Sequence, residues 1–160
     1  MRVKVDLAEE RLSRWLAGMQ RVFPDALCIR ALGPVELRAR GGAGEQCFEL
    51  LEPFRYRSAL VGELVIPAGF RTDFGSVPGW ARWYVDDDSV ELLYPSLPHD
   101  WLYACGGTGL GWGAPITRQM ADAVLREAMQ TVGARADQVA VVHAAVRLGG
   151  RRHWRAPREQ

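Results

Sequence analysis

Between Cys28 and Trp80, glycine and proline recur too often for any stretch of the chain to hold a long helix. The runs "CIRAL", "VELRAR", "CFELLEPFRYRS" and "ELVIPAGF" are separated by "LGP", "RGGAGEQ" and "LVG". Short alternating or β-branched runs between such breakers predict a small antiparallel sheet. "RTDFGSVPGW" is predicted as a loop, because Gly75, Pro78 and Gly79 interrupt any regular element, and "YVDDDSV" as a polar turn. On both sides of this region the period changes. "MRVKVD" reads as a short strand, and "LAEERLSRWLAGMQRVF" places Leu12, Trp15, Leu16, Met19 and Phe23 at helical spacing before Pro24 stops it. After the loop, three helices are expected. The first starts near Ser96, takes Pro98 in its first turn and stops at "CGG". The second runs from a Thr117 cap to Val132 with Gly133 as its stop, and the third covers "ADQVAVVHAAVRLGG". The expected fold class is therefore α+β. It divides into an N-terminal extension over 1–45, a core over 46–150 and a basic tail over 151–160.

A chain of 160 residues with 48% hydrophobic and 9% aromatic content can bury one ordinary core. No apolar run approaches the roughly 20 residues needed to cross a bilayer. The N-terminus alternates and then turns acidic, unlike a signal peptide, so synthesis in a cytoplasm is expected. Cys28, Cys47 and Cys105 form no C-x-x-C pair and are expected to be buried thiols rather than disulfides or zinc ligands. Of the 20 basic residues only Lys4 is a lysine, a bias that fits a GC-rich genome better than a phosphate-binding surface. The one basic cluster, "RRHWRAPRE", is expected to be an untethered terminus. Trp154 between arginines offers only a weak argument for nucleic-acid stacking.

Several motifs fail on context. "DFG" at 73–75 lacks the other kinase signatures, and "GGTGLGWG" lacks the spacing and preceding strand of a phosphate cradle. Ser76 lies one residue off a nucleophile elbow, and His143 sits in an apolar helix where a satisfied core histidine is expected.

The constellation that remains is "HDWLY", residues 99–103. His99 and Tyr103 are four apart and share a helix face, with Asp100 a quarter turn away. In "TRQMADAVLREAM", Asp122 falls on the same inward stripe as Leu125 and Met129. If the two helices lie antiparallel, Asp122 accepts the imidazole N–H and fixes its tautomer. A histidine near a helix N-terminus is expected to stay neutral, as a general base requires. Asp100, helped by backbone oxygens or Asp73, offers oxygen ligands to a hard cation such as calcium. The same residues also admit a scaffold role, with Asp122 paired to Arg118 and Arg126 and with His99 and Asp100 capping the helix.

Two resemblances bear on these residues. "FELLEPFRYRS", "VIPAGFRTDFGSVPGW", "HDWLY", "TRQMADAVLREAM" and "VHAAVRLGG" occur in the order seen in the phage and prophage domain-of-unknown-function family 1353. That resemblance covers residues from about 48 to 154 and implies a phage origin without an assigned activity. The helix carrying H-D-x-x-Y, followed by one with an inward aspartate, is similar to phospholipase A2. By that resemblance His99 activates water, Asp100 binds calcium, Asp122 orients His99 and Tyr103 bonds to Asp122, although the glycine-rich calcium loop is missing upstream. The function so implied is a phage-encoded accessory or virion protein, associated with the tail or connector, hydrolysing an ester in a host envelope component. The alternative is a non-catalytic virion part in which the cluster only stabilises the fold. Expected partners are other virion proteins and an envelope lipid or cell-wall component, with nucleic acid disfavoured.

Overall fold

The computed structural model describes residues 7–33, 47–74, 90–108 and 115–154. The expected strands at "MRVKVD" and "VELRAR", together with most of "GSVPGW" and "YVDDDSV", lie outside the described residues. The elements are α1 (Leu7–Val22), β1 (Ile29–Ala31), β2 (Phe48–Leu50), β3 (Phe54–Ser58), β4 (Gly62–Ile66), β5 (Arg71–Thr72), α2 (Val90–Cys105), α3 (Arg118–Thr131) and α4 (Ala136–Gly149). A short 3₁₀ turn, Gly150–Arg152, follows α4. The layout is α+β. No described helix is long and apolar enough to cross a membrane.

The strands form two antiparallel units: β1-β2-β5, and a β3-β4 hairpin. Period-2 alternation sets the hairpin's faces. Phe54 pairs with Ile66 and Tyr56 with Leu64, all buried, while Arg55, Arg57, Glu63 and Val65 point outward. β5 was not foreseen. Arg71 and Thr72 pair with Glu49 and Phe48, so the first two residues of the expected loop belong to the sheet.

The N-terminal stripe is half used. Met19 and Phe23 are buried, with the Phe23 ring 4.9 Å from that of Tyr56, but Leu12 and Leu16 are exposed. Trp15 instead ties α1 to the end of α3, its indole N–H donating to the Val132 carbonyl at 2.7 Å.

The main departure concerns α2. It begins at Val90, not near Ser96, and both Pro95 and Pro98 lie inside it. Each proline removes one backbone donor and crowds the preceding turn. Packing holds the upstream turns regardless. Leu92 is buried against Leu125, Met129 and Val142, and Tyr94 meets Phe23 edge-on at 5.4 Å.

α2 and α3 are antiparallel, as the site requires. The connection closes on itself where the Ile116 N–H donates to the Gly107 carbonyl at 2.9 Å. Gly107 has φ +71°, and the Ile116 backbone occupies the space of any β-carbon there, so only glycine fits. α3 starts as expected, with the Thr117 hydroxyl accepting from the Met120 N–H. It ends before Gly133, whose φ is +85°.

Candidate functional site

Asp122 lies one turn into α3 with its side chain fully buried. Taking a carboxylate out of water costs several kcal/mol unless donors surround it, and here they do. Oδ1 accepts from the Tyr103 hydroxyl at 2.5 Å and lies 3.2 Å from His99 Nε2. Oδ2 accepts from Arg147 at 2.9 Å and from Arg118 at 3.3 Å. Arg118 also donates to the Val146 and Arg147 carbonyls, so one guanidinium caps the end of α4 and neutralises Asp122. Burial by itself would raise the Asp122 pKa, but its bonds to His99, Tyr103 and Arg147 outweigh that and hold it below the ordinary value.

Asp122 therefore gathers both groups between which the sequence left the choice open, and the partner set is corrected in one respect. Arg118 and His99 bind it, but Arg126 does not. Arg147, from α4, takes that place. Its position in "VRLGG" gave no signal, because the contact joins residues 25 apart through helix packing.

His99 is 1% exposed and stacks on Tyr103, their ring centroids 4.3 Å apart. The expectation of a neutral imidazole at a helix N-terminus fails, because α2 starts nine residues earlier and His99 sits well inside it. Burial pushes its pKa down, yet the neighbouring Asp100 and Asp122 carboxylates more than reverse this, leaving it above the ordinary value. The two ring nitrogens differ. Nε2 faces Asp122, while Nδ1 lies 3.6 Å from Asp100 Oδ1, beyond hydrogen-bond reach, and has no hydrogen-bond partner.

Asp100 is fixed from the sheet. The Thr72 hydroxyl donates to its Oδ2 at 2.5 Å and accepts from the Phe74 N–H at 3.0 Å. Phe74 takes φ +51°, a left-handed conformation uncommon for an aromatic residue. Thus β5, read from sequence as loop, supplies a residue that holds Asp100 beside His99. Thr72 was missed because its role depends on strand pairing rather than on local pattern.

Asp73 is exposed, next to the buried Thr72, and its charge acts on Cys47, whose thiol is pushed up first by burial and then by Asp73. No three or more His, Cys, Asp or Glu side chains among the described residues are grouped to hold a metal. One Asp100 oxygen is taken by Thr72, and no chemistry below is routed through a cation.

The tail does not start free. Gly150 packs so closely on Tyr103 that a β-carbon there would collide with the phenol, and Trp154 meets Tyr103 edge-on at 5.1 Å. The three thiols are free and half-buried, not fully buried. His143 is half-buried at the edge of a groove, not in the core.

These features define an α+β domain in which a His–Asp–Tyr cluster is clamped between three C-terminal helices and a sheet-borne threonine. The chain belongs to the family described as "Protein of unknown function (DUF1353)", whose model matches residues 48–146. That range runs from β2 into α4 and contains every residue of the cluster except Arg147. No curated protein and no solved structure matches the chain.

Proposed function

We propose that the cluster is a His–Asp hydrolytic site, with His99 as general base and Asp122 as its orienting group. The observation that carries this is the unpartnered Nδ1 of His99. A buried imidazole that anchors one nitrogen and leaves the other unbonded retains an unused acceptor at a cost in stability, which calls for an explanation. Above its raised pKa the ring keeps a single proton on Nε2, which Asp122 accepts while Tyr103 holds Asp122 in place, so Nδ1 presents its lone pair. A water bonded to Nδ1 gives up a proton as its oxygen adds to an ester carbonyl. The imidazolium is stabilised by Asp122 on one side and Asp100 on the other, and it returns the proton to the leaving alkoxide. The substrate class is an ester of a host envelope component. The setting is a phage accessory or virion protein of the tail or its connector, which is what the resemblance of the signature blocks implies.

A second reading, a virion part in which the cluster only stabilises the fold, is favoured by a specific observation. Arg118 and Arg147 neutralise Asp122 independently of His99, which is itself 1% exposed. The discriminating experiment assays soluble short-chain esters and phospholipid vesicles with wild type, His99→Ala and Asp122→Asn, beside denaturant curves for each and for Arg118→Ala. The hydrolytic reading expects turnover in wild type, loss in both site variants and coupling between Asp122 and His99 in a double-mutant cycle. Absence of wild-type turnover on every ester, with Asp122 coupled to Arg118 alone, overturns it in favour of the scaffold.

A further inference from the structure

A groove of about 440 Å³ runs along α3 and α4 near the turn that joins them. It is lined by Ala134, Ala136, Val139 and Ala140, with Arg126 and Gln130 from α3 and His143 from α4 as its polar groups. Small side chains on α4 open the space, and Arg126 and Gln130, one turn apart, edge it. Neither Arg126 nor His143 makes a hydrogen bond or ion pair with another described residue, unlike the arginines that bind Asp25, Glu49, Glu63, Asp122 and Asp137. A sequence reading of Arg126 as a partner of Asp122 would have hidden this, since Arg118 and Arg147 satisfy that carboxylate between them.

We propose that this groove binds a small organic carboxylate, with Arg126 as its anchor. The volume falls in the range of small-molecule pockets, and the lining sets Arg126, Gln130 and His143 beside small apolar side chains. A guanidinium matches a carboxylate in a two-pronged bond, and Gln130 and His143 supply further donors at the rim. The charge count selects the ligand. Burial, then Arg126 and Arg147, push the His143 pKa below its ordinary value against the opposing charge of Asp122, so at neutral pH the imidazole donates without adding charge. A single lining cation beside alanine and valine side chains suits a monoanion with an apolar body rather than a phosphate dianion. The carboxylate can come from a free acid or from the C-terminus of a peptide, and the test separates the two.

The test is an NMR titration of the full chain, followed at the Arg126 Nε–H and the His143 ring protons. The ligands are benzoate, benzamide, inorganic phosphate and an N-acetylated dipeptide with a free carboxylate. Saturable shifts with benzoate are expected at both residues, with none from benzamide. Arg126→Gln, a change at an exposed position, should weaken benzoate at least about tenfold while leaving the unfolding curve in place. Tighter binding of the dipeptide than of benzoate identifies a peptide terminus as the source, and the reverse identifies a free acid. Equal binding of benzamide, tighter binding of phosphate, or unchanged affinity in Arg126→Gln each overturns the proposal.

Discussion

α3 carries two carboxylates five residues apart, and they are used differently. Asp122 looks toward α2 and α4 and is fully buried. Glu127 looks toward the β3-β4 hairpin and is half-buried. Around Glu127 the donors are neutral: the Tyr56 hydroxyl at 2.8 Å, the Ser58 hydroxyl at 2.5 Å and the Ala59 N–H at 2.8 Å. Ser58 in turn accepts from the Leu60 and Val61 N–H groups, which closes the hairpin turn. Every polar group in that network is satisfied, so it needs no role beyond fastening the hairpin to the helix. The Asp122 network holds two guanidiniums, a phenol and an imidazole, and it ends in an unbonded nitrogen. A latch closes its hydrogen bonds, whereas a site leaves one open. The comparison gives the functional reading its physical content.

The largest test of the contrast is truncation. Asp122→Ala should cost about 3–5 kcal/mol, because it strands two arginines and an imidazole around a buried void. Glu127→Ala should cost about 1–3 kcal/mol, since its losses are neutral hydrogen bonds. Urea unfolding of both variants checks the ranking, and equal costs would erase the distinction.

Next is Gly150→Ala, at a residue whose φ of −68° permits any side chain. The backbone is unstrained, so the cost, about 1–3 kcal/mol, should come only from overpacking against Tyr103. The same change in a Tyr103→Phe background should recover part of that loss if the phenol oxygen is the obstacle. A full cost in both backgrounds would show that the ring carbons of residue 103, not the phenol oxygen, are the obstacle.

A smaller effect appears with pH, where one proton changes stability by at most about 1.4 kcal/mol per pH unit. His99 has a raised pKa in the fold, so its contribution is complete below its ordinary value of about 6.5 and is lost as pH rises through the folded value. Asp122 has a lowered pKa, so its contribution is complete above about 3.9 and is lost as pH falls through the folded value. Thermal melts across pH should therefore decline at both ends. Asp122→Asn should flatten the acid limb and weaken the alkaline one. An unchanged profile in that variant would remove Asp122 as the source.

The smallest expected effect compares two tyrosines. Tyr56→Phe and Tyr103→Phe each remove a hydroxyl bonded to a carboxylate, at about 1 kcal/mol apiece. Only Tyr103→Phe should also move the His99 ring ¹⁵N shifts. If Tyr56→Phe moves them as well, the two networks act as one.

Much of this was legible in the chain itself. Alternation in "FRYRS" and "ELVI" set the hairpin's faces, and Thr117 and Gly133 bounded α3, because side-chain direction and capping act over a few residues. The spacing of His99, Tyr103 and Asp122 along two helices was enough to bring them together once the helices lay antiparallel. Tertiary structure alone decided the start of α2, since the proline penalty at Pro95 and Pro98 is local while the burial of Leu92 that offsets it is not. It decided β5 and Thr72, because a two-residue strand exists only through its partner. It also placed Arg147 on Asp122 and left Arg126 in its groove. A buried carboxylate takes its cations from whichever helix packs nearest, and neither choice is encoded in the residues adjoining Asp122 in sequence.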